Sequence, residues 1–243
     1  MAPLIGVLGG MGPLATLDFL NKVLAATPAT RDQDHVPTLV WNVPQIPDRQ
    51  KALAGTGESP LPAMLEGIAR LNGAGATRIA IPCNTAHLWF DDLAAASAAP
   101  LIHIVEVTVA RLGREDRGPV GLIATRAALA AGLYQSRLAA HGVPYLVNSE
   151  DELQRLFTPG CYAIKRNELD LGGQLLRQAA ECLLQRGASR LILACTEVPV
   201  GLARVAPELL EISIDPTQVL AEACVEYWLQ HRDEGVTPQA RAP

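Results

Sequence analysis

Eight short runs rich in branched and apolar residues alternate with longer segments of helical periodicity along the 243-residue chain, and this alternation constrains the fold more than any other feature. The runs are 4–9, 38–43, 78–83, 100–105, 119–124, 145–148, 190–195 and 210–215, and segments 13–27, 60–74, 88–97, 107–113, 127–141, 150–156, 167–187 and 216–231 read as helices. Strands joined through helices lie parallel, because a parallel neighbour needs a long crossover connection. The clearest helix is 167–187, where Leu169, Leu175, Leu176, Ala179, Ala180 and Leu183 recur at helical spacing and Gly187 ends the run. Residues 216–231 come after a helix-start signal, Asp215 as cap and Pro216 in the first helical position.

The alternation also repeats itself. IGVLGG at 5–10 corresponds to VGLIAT at 120–125, and ATRIAIPCNTAH at 76–87 to ASRLILACTEVP at 188–199. Gly6 to Cys83 spans 77 positions and Gly121 to Cys195 spans 74. The expected fold is therefore α/β, with two similar lobes, each a mostly parallel sheet flanked by helices, related by pseudo-twofold symmetry with the active site between them. Residues 1–105 plus 214–231 are expected to form the first lobe and 106–213 the second, leaving 232–243 as a polar, mobile tail. Open α/β sheets bind ligands at the carboxyl ends of their strands, where both cysteine segments fall.

Composition narrows the function classes. Twenty basic and 25 acidic residues give a net charge of −5 without a block of one sign, which points away from nucleic acid and membrane surfaces. The N-terminal apolar run lacks a basic flank and is broken by Gly9, Gly10 and Gly12, so it reads as neither signal peptide nor membrane span, and a cytoplasmic protein is expected. Five cysteines without CxxC or Cys/His spacing argue for free thiols rather than disulfides or a metal site. The stretch GGMGP lacks dinucleotide-fingerprint spacing, which argues against NAD.

Cys83 and Cys195 each end a buried strand and precede small polar residues and a helical segment. Unpaired N–H groups at a helix start favour a thiolate and bind a carboxylate, and Asn84, Thr85 and Thr196 add side-chain donors. Two thiols facing one cleft suit inversion of a carbon, one taking a proton from one face while the other returns a proton to the opposite face. No cofactor is then obligatory. The repeat places Thr125 opposite Gly10, lining the same cleft, with Met11 reaching it through its backbone.

On these residues the chain resembles the aspartate/glutamate racemases that work without pyridoxal phosphate, and their aspartate branch in particular. GVLGGMGPLAT (6–16) is similar to the family's opening signature, PCNTAH (82–87) and ACTEVP (194–199) to its two cysteine motifs, and IDP (214–216) to its closing element. IPDRQ (46–50) and CYAIKRNEL (161–169) resemble segments that carry an arginine and a lysine to the substrate's carboxylates, which implies those roles for Arg49 and Lys165 on two mobile loops. The resemblance implies catalytic Cys83 and Cys195, an acidic amino acid as substrate, no cofactor and a homodimer. Asn84, Thr85, Thr125 and Thr196 would hold the α-carboxylate and amino group.

Other residues read as supporting. His87 and Glu197 are candidates for tuning Cys83 and Cys195, with a packing or structural hydrogen bond as the alternative for each. The cell-wall glutamate racemases carry a His where Glu197 stands, and their Asp-Ser-Gly opening is absent here. Cys182 and Cys224 read as core, and Cys161 as an exposed thiol on the lid. Two rival functions stay open: a related isomerase or decarboxylase using one cysteine, and a non-catalytic binding protein for acidic metabolites. Aspartate and glutamate are not separated by the sequence.

Overall fold

A computed structural model describes residues 3–113 and 118–233. All but the first two residues of the 232–243 tail lie outside the described residues. The first half runs β1 (Ile5–Gly9), α1 (Pro13–Ala26), β2 (Thr38–Asn42), α2 (Arg49–Leu53), α3 (Leu61–Gly73), β3 (Arg78–Ala80), α4 (Phe90–Ala95) and α5 (Ile104–Val109). The second runs β4 (Val120–Leu122), α6 (Arg126–Ala130), α7 (Gln135–Ala140), β5 (Tyr145–Val147), α8 (Glu150–Glu152), α9 (Thr158–Lys165), α10 (Leu169–Gln185), β6 (Arg190–Ile192), α11 (Glu197–Val205), α12 (Glu208–Glu211), β7 (Ser213–Ile214) and α13 (Pro216–His231). Among the described residues every strand pairing is parallel, in the orders β2-β1-β3 and β5-β4-β6-β7.

The two lobes repeat in their packing as well as their order. Gly6 pairs with Ile79 and Gly121 with Leu191, at the same place in each sheet. A Cβ on Gly6 would press on Leu71, Ala76 and Ile79, and one on Gly121 on Leu183, Ala188 and Leu191. The two sets of contact residues stand at a constant offset of 112 residues, as do Cys83 and Cys195. A helix closing tightly over the central strand thus needs glycine at both positions.

Three hydrophobic clusters make up the interior of the described residues. One lies under the outer face of the first sheet and ends at Met11 and Cys83. A second lies under the outer face of the second sheet and ends at Cys161 and Cys195. The third joins the lobes, bringing Ile5, Val7 and Phe19 together with Leu122, Tyr134, Ile192 and Leu220.

Two sequence-based expectations change here. Residues 100–105 form no strand: Leu101 makes a single parallel bridge with Ile79, and the chain turns at once into α5. His103 caps that helix by accepting the Val105 amide at 3.2 Å, so hydrogen bonding overrides the β-branched character of the run. Of residues 214–231, expected in the first lobe, Ile214 pairs in the second sheet as part of β7, and it is the helix α13 that crosses back to pack on α1 and α5. Asp215 caps α13, accepting from the Thr217 amide at 2.9 Å, and Lys22 of α1 donates to the same carboxylate at 2.6 Å.

Candidate active site

Both cysteines stand just beyond a strand that ends early. Pro82 has no N–H to continue the ladder after β3, and Cys83 donates its amide to Ile81 O at 2.8 Å instead. After β6, the Ala194 amide bonds Ile192 O at 3.0 Å, releasing Cys195 at the head of α11. Beyond the cysteines the two lobes diverge. Cys195 precedes the nine-residue α11, whereas Cys83 precedes a 3₁₀ turn, Thr85–Trp89.

Met11, Arg49, Cys83, Asn84, Thr85, Thr125, Lys165, Cys195, Thr196 and Glu197 all line one cavity, together with Asp48, Gln50 and Cys161. Its free volume is about 20 Å³, room for little more than one water. Met11 reaches the cavity because Gly10 adopts a φ of 94° with its α-carbon against the Val43 backbone, where any side chain would collide.

The lobes hold each other's polar groups. Tyr134, fully buried in the second lobe, donates to Asn84 Oδ1 at 2.6 Å and fixes that amide, while Asn84 Nδ2 is buried without a hydrogen-bond partner. Thr85 and Thr125 meet through their hydroxyls at 3.0 Å, and Thr125 also caps α6. Asp48 and Gln50 line the cavity and Tyr134 holds Asn84 without lining it, and sequence reasoning singled out none of the three; Cys161 was read as a lid thiol rather than a cavity residue. Asp48 sits inside the IPDRQ segment, so a signal was present; for Tyr134 the only cue was an aromatic in an apolar run.

Arg49 is buried, its Nη1 donating to Ile46 O and Pro47 O at 3.1 and 2.9 Å, while its Nε has no partner. Asp48 caps α2, accepts from the Tyr162 hydroxyl at 2.8 Å across the lobes, and pushes that phenol, already raised by burial, up to about 12. Arg49 and Lys165 were expected on mobile loops, and both lie on helices. Lys165 ends α9, because Pro159 takes an early position in that helix rather than a turn, and Gly160 lets α10 approach until a Cβ on Gly172 would lie 2.8 Å from Gly160 O.

Lys165 pairs with Glu197, whose other oxygen accepts from Cys195 Sγ at 3.1 Å. Burial acts to raise Glu197, but the Lys165 charge and hydrogen bond and the Cys195 thiol outweigh it and hold the carboxylate below its ordinary range. Burial acts to lower Lys165, and Glu197 and Cys195 reverse that. Cys195 lies well above the ordinary thiol value, through its hydrogen bond with Cys161, burial and the Cys161 and Glu197 charges in that order. The helix-start field at α11 is therefore outweighed at this thiol. Cys161, expected to be exposed, is 1% exposed and its Sγ is 3.7 Å from Cys195 Sγ. The path of α9 turns it inward.

His87 does not line the cavity. Its ring bonds the Cys83 carbonyl through Nδ1 at 2.9 Å and accepts the Ile104 amide at Nε2 at 3.1 Å, so it fixes the Cys83 backbone. Burial, with His103 adding, lowers its pKa to about 3 and keeps it neutral. Cys224 is buried and Cys182 half-buried. Among the described residues no group of three His, Cys, Asp or Glu side chains is placed to hold a metal ion, and no helix is long and apolar enough to cross a membrane.

Residues 8–224 match the Asp/Glu/Hydantoin racemase family. The chain is 26% identical over 233 residues to the broad specificity amino-acid racemase RacX of Bacillus subtilis, covering 94% of this chain and 100% of that one. Among solved structures it resembles an aspartate racemase from Picrophilus torridus at 29% identity and a TM-score of 0.83, covering 93% and 94% of the two chains. A glutamate racemase from Francisella tularensis in complex with D-glutamate shares the fold at 16% identity, with a TM-score of 0.70 over 97% of this chain and 84% of that one.

Proposed function

The chain belongs to the Asp/Glu/Hydantoin racemase family, and from that membership we propose that it interconverts L- and D-aspartate by proton transfer between Cys83 and Cys195, without pyridoxal phosphate, glutamate being the next candidate substrate. The observation that carries this reading is the convergence of both thiols and both cations, Arg49 and Lys165, on one cavity in which Arg49 Nε and Asn84 Nδ2 are buried donors without protein partners. Buried donors left unpaired favour a ligand that brings acceptors, which is what a dicarboxylate supplies. Aspartate stands ahead of glutamate on the likeness to the aspartate racemase, although one methylene is worth only about 1–3 kcal/mol. We place the homodimer and the cytoplasm beside this reading on the family resemblance and the reduced cysteines; light scattering of the purified protein tests the dimer.

In the proposed cycle Arg49 and Lys165 hold the distal carboxylate, and Asn84, Thr85, Thr125 and Thr196 surround the α-carboxylate and amino group, where charge builds as the Cα–H bond breaks. Cys195 enters as a thiol, the form its surroundings favour, and is the proton donor when Cys83 acts as base. For the opposite enantiomer Cys195 must first lose its proton, and Glu197 Oε2 at 3.1 Å is the acceptor in place. A substrate carboxylate that draws Lys165 away from Glu197 removes the cation that depresses Glu197, so substrate binding itself raises the proton affinity of that acceptor.

The deciding experiment tracks α-proton exchange in deuterium oxide for each aspartate enantiomer with Cys83→Ser and Cys195→Ser, alongside chiral product analysis over aspartate, glutamate and neutral amino acids. Each variant should retain exchange of one enantiomer only, with no net inversion. Substrate trapped covalently on one cysteine would favour a one-cysteine isomerase or decarboxylase. Aspartate bound but unchanged by the unmodified protein would reduce the site to a binding pocket.

A further inference from the structure

We propose that Cys161 and Cys195 are a peroxide-responsive dithiol, closing to a reversible disulfide that takes Cys195 out of service and guards it against irreversible oxidation. The sulfurs lie 3.7 Å apart, in contact and buried, on elements of different origin: the first turns of α9 and the head of α11. A disulfide has an S–S length near 2.05 Å, so roughly 1.6 Å of closure is needed, within reach of side-chain rotation and a slight shift of α9. The two-base reaction has no use for a third thiol against its acid, and the cost is visible, since the Cys161 hydrogen bond is the largest of the influences that disfavour the Cys195 thiolate.

Both thiols line the same cavity, and hydrogen peroxide, close to water in size, can reach them there. Once Cys195 has passed its proton to Glu197 Oε2, 3.1 Å away, its thiolate attacks one peroxide oxygen, the O–O bond breaks, and the departing hydroxide takes up that proton and leaves as water, giving Cys195 sulfenic acid. Cys161 Sγ then attacks that sulfur, the S–O bond breaks, and hydroxide leaves as a second water with the Cys161 proton. Two thiols lose one electron each, and one peroxide is reduced to two waters.

The test treats the full-length protein with hydrogen peroxide, alkylates remaining thiols, digests it, and searches by mass spectrometry for a peptide pair joined through Cys161 and Cys195. That readout stands whether or not the protein racemises aspartate, so it separates this proposal from the function it accompanies. The expected result is the Cys161–Cys195 pair as the main cross-link, with activity falling more than about tenfold and returning with dithiothreitol. In Cys161→Ser, measured against its own untreated activity, prolonged peroxide should leave Cys195 as sulfinic acid and the loss should persist after dithiothreitol. Cross-links that join other cysteines, five free thiols after inactivation, or equal recovery of Cys161→Ser and the unmodified protein would each overturn the proposal.

Discussion

Glu197 holds Lys165 with one carboxylate oxygen and the Cys195 thiol with the other, so one side chain governs both a cation and an acid. Glu197→Gln keeps the shape and removes the charge. We expect kcat to fall by about 10²–10³ in the direction that requires a Cys195 thiolate, while KM stays level or drops because the substrate no longer competes with Glu197 for Lys165. Steady-state kinetics in both directions checks this, and a raised KM with unchanged kcat would assign Glu197 to substrate binding alone. His87 makes a different prediction. Its folded pKa of about 3 lies below the 6.5 of the unfolded chain, so between those values the unfolded state binds more protons and stability declines as pH falls. The loss by about pH 4.5 is roughly 2–3 kcal/mol. Urea titrations at pH 7 and 4.5 should give a flatter dependence for His87→Gln, whose residual slope comes partly from His103, itself lowered to about 4 by burial and Arg137. At this scale the paired cysteines were legible because the internal repeat marks them. Cys161 was not, since its contact with Cys195 depends on where α9 runs, which no local pattern encodes.

Between the elements, three helices are held by glycines. A Cβ on Gly172 would lie 2.7 Å from Ile164 Cδ1 and 2.8 Å from Gly160 O, and one on Gly173 2.7 Å from Gly201 O. α9, α10 and α11 thus approach backbone to backbone, and the Lys165–Glu197 pair spans the gap they leave. Gly172→Ala sets two effects against each other: helix propensity alone gains about 1 kcal/mol, while overpacking costs about 1–3 kcal/mol. Because the Gly160 backbone oxygen cannot rotate away, we expect net destabilisation in urea and a higher KM for aspartate as Lys165 is displaced. A stabilised variant with unchanged KM would show that α9 yields freely. The sequence made α10 plain, 167–187 expected and 169–185 found, because its apolar stripe is long and regular. It hid α9, because Pro159-Gly160 reads as a turn until the neighbouring helix explains the glycine.

For the molecule as a whole, the apolar cluster shared by both lobes argues against independent halves. Ile5, Val7 and Phe19 pack in one continuous core with Leu122, Tyr134 and Ile192, and the site's polar groups are oriented across the same boundary. Scanning calorimetry should therefore show a single transition with matching calorimetric and van't Hoff enthalpies; two resolved transitions would contradict the shared core. The duplicated α/β plan was readable from rhythm and repetition, whereas the shared core was not, since buried residues of either lobe look alike in sequence. The return of α13 onto α1 and α5 has one more consequence, for the order in which the protein can be made. Val219, Leu220 and Trp228 belong to the core shared with Ile5 and Phe19, yet they are made about 200 residues later. An emerging chain, growing at about 5–20 residues per second, carries the exposed apolar face of α1 until α13 follows it out. The first half can be completed only once α13 has emerged, which makes the nascent protein a natural client for chaperones that shield such faces.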